Sequence, residues 1–349
     1  MKKRWDIFCK VVDNFGDIGV CWRLAKQLSQ THGIQVRLFV DDLKVASKII
    51  PIIDFNKISQ PIDNIIICDF NSALLPVDVV IEAFACGLPE SYQTQMSEST
   101  VWVNLEYLSA EPWVEEFHAK HSERGHLKRH FYFPGFSEKT GGLLREPNLM
   151  AHRAEITHRQ IEELKISLFC YDNAPLEELF DAVSDGFKKV IIYAPLTNSV
   201  QNFAPLFGKT SFIVGDVLTK NKLKLHVLPF LSQDEYDSLL RSCDLNFVRG
   251  EDSWVRAIWA GKPFVWQPYV QDDDAHFIKL HAFLDLFFSD HETACKAHEC
   301  WSSGRWPKSL WLAYQDHLSV IHTHVMRESE KLSIQSDLAS KLVIFCNKF

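Results

Sequence analysis

The sequence predicts an α/β protein of two Rossmann-like domains, each a mostly parallel sheet with helices on both faces, facing each other across a cleft. Three observations carry this. Short apolar runs alternate with stretches of helical periodicity, the pattern of βα units. The alternation occurs twice, over residues 1–158 and again over 159–329, with residues 330–349 expected to pack back on the first domain. The 349 residues fit two domains at the usual size of roughly 100–200 residues each.

The first series opens on Trp5–Val12, an apolar run of the kind a buried parallel strand gives. Val20, Leu24 and Leu28 then recur every four residues and mark one face of a helix. Between them lies Asp13-Asn14-Phe15-Gly16-Asp17-Ile18-Gly19, a strand-to-helix turn at the carboxyl end of the first strand. Open α/β sheets bind ligands at that place. Two carboxylates four residues apart are wrong for a phosphate cradle, which wants bare N–H groups and a cation. They suit proton abstraction or a cationic ligand. Either Asp alone could simply cap the helix, but one helix start needs one cap.

Further strands are expected at Gln35–Val40, Asn64–Asp69, Val77–Phe84 and Thr100–Leu108. Residues 111–146 break the pattern, mixing four histidines and several aromatics with Pro134-Gly135 and Gly141-Gly142. This stretch reads as a long, partly ordered excursion near the cleft. Its histidines lack the spacing of a metal site. The chain then turns polar and helical from His152 to Glu163.

The second series begins with strand Lys165–Tyr171, helix Leu176–Val183 and strand Lys189–Pro195. Strand Leu223–Phe230, a helix opened by Ser232 or Gln233, and strand Cys243–Val248 follow. Next comes Arg249-Gly250-Glu251-Asp252-Ser253, where Asp252 or Ser253 can cap a short helix ending at Gly261-Lys262-Pro263. Such a helix start binds phosphates, and Arg249 can add a cation. Strand Phe264–Trp266 and helix Phe277–Leu286 precede a helical C-terminus.

A net charge of −8 argues against a protein that coats nucleic acid or a membrane surface. No apolar run reaches the ~20 residues of a membrane span, and the basic N-terminus lacks a signal-peptide core. Nine scattered cysteines with no Cys-x-x-Cys pair read as free thiols of a cytoplasmic protein.

The pair Gly250-Glu251-Asp252-Ser253 and Ala257-x-x-x-Gly261-x-Pro263 resembles the donor-gripping loop and helix of GT-B glycosyltransferases. A more specific likeness joins it to Asp6–Leu24, Phe247–Ser253, Trp259–Trp266, Phe133-Pro134-Gly135-Phe136 and Thr140–Leu143. Together these resemble the EarP family, protein-arginine rhamnosyltransferases of bacterial elongation factor P. The resemblance implies inverting transfer of L-rhamnose from dTDP-β-L-rhamnose to one arginine of elongation factor P, supporting translation of polyproline stretches. It implies no cofactor and no metal. The first domain would hold the acceptor and the second the sugar nucleotide. By the same likeness Asp17 is the general base and Asp13 a second essential carboxylate. Phe15, Gly16, Gly250, Glu251, Asp252 and Ser253 would touch the donor, and Tyr193, Phe230, Phe247 and Arg249 would line the nucleotide pocket. A guanidinium is a poor nucleophile while protonated. A carboxylate can orient it and take its proton as the C–N bond forms. The rival expectations are a GT-B enzyme with another acceptor and a non-catalytic nucleotide-sugar-binding protein.

Overall fold

The computed structural model describes residues 4–13, 15–147, 149–152, 163–186 and 188–349. The chain divides into two units, Met1–Pro147 with Leu332–Phe349, and Asn148–Lys331. Most of the expected polar helical stretch 152–163 lies outside the described residues, as does Asn14.

In the first unit β1 (Arg4–Cys9) leads through α1 (Gly16–His32) to β2 (Gln35–Val40), α2 (Leu43–Ile49), β3 (Ser59–Ile62) and β4 (Ile65–Asp69). β5 (Val79–Ala83), α3 (Glu90–Gln93), β6 (Val101–Leu105), α4 (Trp113–Phe117), β7 (His121–Arg124) and β8 (Leu127–Tyr132) follow. The strands form one sheet in the order β3-β4-β2-β1-β5-β6-β8-β7. All neighbours are parallel except the two edge hairpins, β3/β4 and β7/β8. Alternation along β1 sends Trp5, Ile7 and Cys9 into the core beneath α1, and Phe8 into a second core on the other face. There Phe8 stacks on Phe39 at 4.3 Å.

Two expectations are corrected here. Ser59–Ile62 forms a strand that the sequence reading passed over. It is four residues long and broken by Pro61, so it carries little periodic signal. Its turn, Asp63-Asn64, has both residues left-handed, as a two-residue hairpin requires. Residues 111–146 are not a loose excursion. They contain α4, β7 and β8, and β8 extends the parallel sheet beside β6.

The second unit contains β9 (Glu163–Leu168), α5 (Leu176–Ser184), β10 (Lys189–Pro195), α6 (Asn198–Gln201), β11 (Val217–Lys220), β12 (Leu223–Leu228) and α7 (Gln233–Ser242). It continues with β13 (Leu245–Arg249), α8 (Asp252–Ala260), β14 (Phe264–Gln267), α9 (Ala275–Phe287) and α10 (Glu292–Ser302). Its sheet runs β11-β12-β10-β9-β13-β14, parallel apart from edge strand β11. Ser232 opens α7 through a capping box with Glu235. The 27-residue α11 (Lys308–Ile334) then carries the chain back, and α12 (Leu338–Cys346) belongs to the first unit. Leu338, Ala339, Leu342 and Phe345 bury in the same core as Leu24 and Leu28 of α1. Gln27 of α1 donates to Asp337 at 2.7 Å, fixing that helix start. Among the described residues no helix is long and apolar enough to cross a membrane.

Candidate active site

At the first strand-to-helix turn the Asp13 carbonyl accepts the Gly16 N–H at 2.7 Å, which closes the loop tightly. A Cβ on Gly16 would lie 2.8 Å from Asp13 Oδ2, so glycine is what leaves room for that carboxylate. The N-cap position is Phe15, which makes no side-chain cap bond. Neither Asp13 nor Asp17 is therefore the cap of α1. Asp17 sits inside the first helical turn and reaches back to the loop. Its Oδ2 accepts the N–H groups of Val12 at 2.8 Å and Asp13 at 2.9 Å, and its Oδ1 accepts the Tyr107 hydroxyl at 3.3 Å. Asp17 is 2% exposed, while Asp13 is half-buried. The turn thus fixes one carboxylate rigidly beside a second, more open one, at the positive end of a helix.

The second turn closes by a different backbone device. β13 ends at Arg249, and Gly250 turns the chain with φ +62°, a conformation that costs a side-chain-bearing residue roughly 1–2 kcal/mol. The Gly250 N–H reaches the Gln267 carbonyl at 3.0 Å, and its own carbonyl accepts the Trp266 indole at 2.7 Å. That indole stacks on Trp254 of α8 at 3.7 Å. Neither Asp252 nor Ser253 is the N-cap. Glu251 occupies that position without a side-chain cap bond. The Ser253 hydroxyl accepts the Arg249 N–H at 3.1 Å and donates to the Arg249 carbonyl, tying the helix to the strand end. The Arg249 guanidinium lies 4.3 Å over Phe169 and 4.5 Å over Tyr171, and donates to the Cys170 carbonyl at 3.3 Å. Arg256 meets Asp237 bidentately, at 3.0 and 2.5 Å, and pins α8 to α7.

The structure therefore brings Asp13, Phe15, Gly16 and Asp17 together in one turn, and Arg249 to Ser253 in the other. Tyr193 is half-buried on β10, with its ring 5.0 Å from His226. Phe230 lies just past β12 and is 42% exposed. Phe247 requires a correction. It has no exposed surface, and its ring packs on Trp301 at 4.4 Å and Trp306 at 5.3 Å. It supports the β13 end from the core and presents nothing to a ligand. Among the described residues no three His, Cys, Asp or Glu side chains are grouped as a metal site.

Sequence reasoning missed Tyr107. It lies two residues past the end of β6, and nothing in its local pattern distinguishes it from the apolar run of that strand. Its ring stacks on Phe84 at 4.3 Å, and only the folded sheet shows that its hydroxyl meets Asp17. Sequence reasoning also missed the buried set beside it. Glu82 accepts from the Gly87 N–H at 2.9 Å and the Trp102 indole at 3.1 Å, and pairs with Arg129 at 3.0 Å. Burial pushes the nearby Glu106 carboxyl above its ordinary range, with Arg129 opposing.

The family model described as "Elongation-Factor P (EF-P) rhamnosyltransferase EarP" matches residues 5–347. A protein-arginine rhamnosyltransferase of Pseudomonas putida is 42% identical, with 99% of each chain covered. A solved structure described as the structural basis for EarP-mediated arginine glycosylation of translation elongation factor EF-P is 31% identical, with 99% of each chain covered and a TM-score of 0.68. A structure of Acinetobacter baumannii MurG, at 12% identity and a TM-score of 0.52 over the full length of both chains, is similar in fold alone. The chain has the GT-B fold and belongs to the EF-P rhamnosyltransferase EarP family of glycosyltransferases.

Proposed function

We propose that this chain moves L-rhamnose from dTDP-β-L-rhamnose to one arginine of elongation factor P in the cytoplasm, inverting the anomeric carbon, and that the modified factor supports translation of polyproline stretches. The observation that carries the reading is the Asp17 carboxylate, buried and oriented by two backbone N–H groups and a hydroxyl in a chain of this family. Oδ2 already accepts two N–H groups, so Oδ1 is the oxygen that takes the proton. In the reaction a guanidinium nitrogen of the acceptor attacks the anomeric carbon. The bond from that carbon to the diphosphate oxygen breaks and its electron pair leaves with the diphosphate. The nitrogen becomes acidic as it bonds to carbon, and Asp17 removes its proton. Asp13, the more open carboxylate, holds the guanidinium fork. The N-terminus of α8 and Arg249 stabilise the departing diphosphate. On this reading protein groups carry the leaving-group charge and no metal is called for.

The test is intact-mass spectrometry of the elongation factor after incubation with this protein and dTDP-β-L-rhamnose, with the linkage configuration read by NMR. A gain of one deoxyhexose, mapped to an arginine in α-linkage, is the expected result. No gain, with donor binding shown separately, would send the reading to another acceptor. Retention of the β-configuration would remove the single-displacement mechanism.

A further inference from the structure

We infer that Tyr107 is a positioning residue for the Asp17 carboxylate, and that the left-handed corner Phe84-Ala85 exists to hold it there. The inference rests on the reading of Asp17 as the proton acceptor. Phe84 and Ala85 have φ of +57° and +51°. Bulky residues rarely adopt such backbone, and it persists where the surroundings over-determine it, often at functional sites. Here they do. The Phe84 N–H bonds the Leu105 carbonyl at 2.7 Å, and the Ala85 N–H bonds the Asn104 side chain at 3.0 Å. The Glu82 carboxylate closes the loop at Gly87. Asn104 has no exposed surface and Glu82 is 3% exposed, so the corner is anchored from inside the sheet.

This anchoring has one outward consequence. It lays the Phe84 ring flat on Tyr107, with an interplanar angle of 13°. Tyr107 lies just past the carboxyl end of β6 and is 36% exposed. The stack holds its ring with the hydroxyl at Oδ1, the Asp17 oxygen left for the acceptor. At 3.3 Å that hydrogen bond is long for O–H to carboxylate. Catalytic hydrogen bonds often tighten when substrate binds. A donor on Oδ1 holds the carboxylate in one orientation and fixes which lone pair faces the substrate.

The experiment compares wild type, Tyr107→Phe and Phe84→Ala in rhamnosyl transfer to elongation factor P, recording kcat, donor KM and melting temperature. Tyr107→Phe keeps the stack and removes the hydroxyl. Its kcat should fall about 10-fold, the size of one hydrogen bond to a charged group, with donor KM and melting temperature unchanged. Phe84→Ala should lower kcat in the same way by less. A Tyr107→Phe variant with wild-type kcat overturns the inference. So does a kcat loss with a raised donor KM and a lowered melting temperature, which would make Tyr107 structural. A wild-type protein that transfers nothing counts instead against the rhamnosyl-transfer reading, and takes this inference with it.

Discussion

The turn after β1 and the turn after β13 are placed alike and chemically opposed. Each follows the carboxyl end of a parallel strand, and each starts a helix whose N-cap residue makes no side-chain cap bond. In the first, a side-chain carboxylate is drawn back onto loop N–H groups. In the second, a hydroxyl bridges the strand's last backbone groups while the neighbouring guanidinium lies on two aromatic rings. One turn presents two carboxylates, and the other sets the Arg249 cation with Glu251 and Asp252 at a helix N-terminus. The difference teaches that the βα turn is a neutral frame and that a few side chains decide its chemistry. The proposed reaction uses both: proton removal at the first, diphosphate stabilisation at the second.

The comparison breaks most visibly at Asp17. Asp17→Asn keeps the shape and removes the proton acceptor, and single-turnover transfer should fall by about 10³-fold or more. A rate within 10-fold of wild type would leave Asp17 as a loop fastener. Gly16→Ala is the next largest. The added Cβ forces the Asp13 carboxylate aside. Transfer should drop about 10- to 100-fold, as misplaced catalytic groups do, with the melting temperature nearly unchanged. In the second turn Ser253→Ala removes both bonds to Arg249, and calorimetry should show donor affinity weakened about 10-fold. The smallest effect is on stability. Burial holds His298 of the second unit neutral down to about 4, and burial with Lys341 does the same for His118 of the first. Both values lie below the ordinary 6.5 of the unfolded chain. The unfolded state therefore binds more protons as pH falls across that window, and stability is lost with it. Melting temperatures should decline from pH ~6.5 towards ~4, and His298→Leu should flatten part of that slope. An equal slope in the variant would remove His298 from the account.

Much of the fold was legible because the strands are apolar runs with clear ends. Gln35–Val40 and Lys189–Pro195 form strands at the expected residues. The stretch 111–146 was not legible. β7 is four polar residues, and β8 opens with Lys128, Arg129 and His130 in an unbroken polar run after Leu127, so neither shows the periodicity of a buried parallel strand. Asp13, Asp17 and Ser253 stood out as unusual residues at turns. Their bonding did not, because caps were expected where the Asp17 and Ser253 side chains instead reach back to backbone groups four or five residues earlier. Phe247 shows the converse. An aromatic beside a glycine loop looks like a ligand platform until Trp301 and Trp306, more than fifty positions later, cover it. Tyr107 needed the pairing of β6 beside β5 and β8, which no local pattern announces.

The most direct test of the division between the two turns is titration of dTDP-β-L-rhamnose by calorimetry into Asp17→Asn and Ser253→Ala beside wild type. Asp17→Asn should bind the donor as wild type does while its transfer falls about 10³-fold or more, and Ser253→Ala should bind it more weakly. Lost donor binding in Asp17→Asn, with Ser253→Ala unchanged, would place the sugar nucleotide at the first turn and contradict the account.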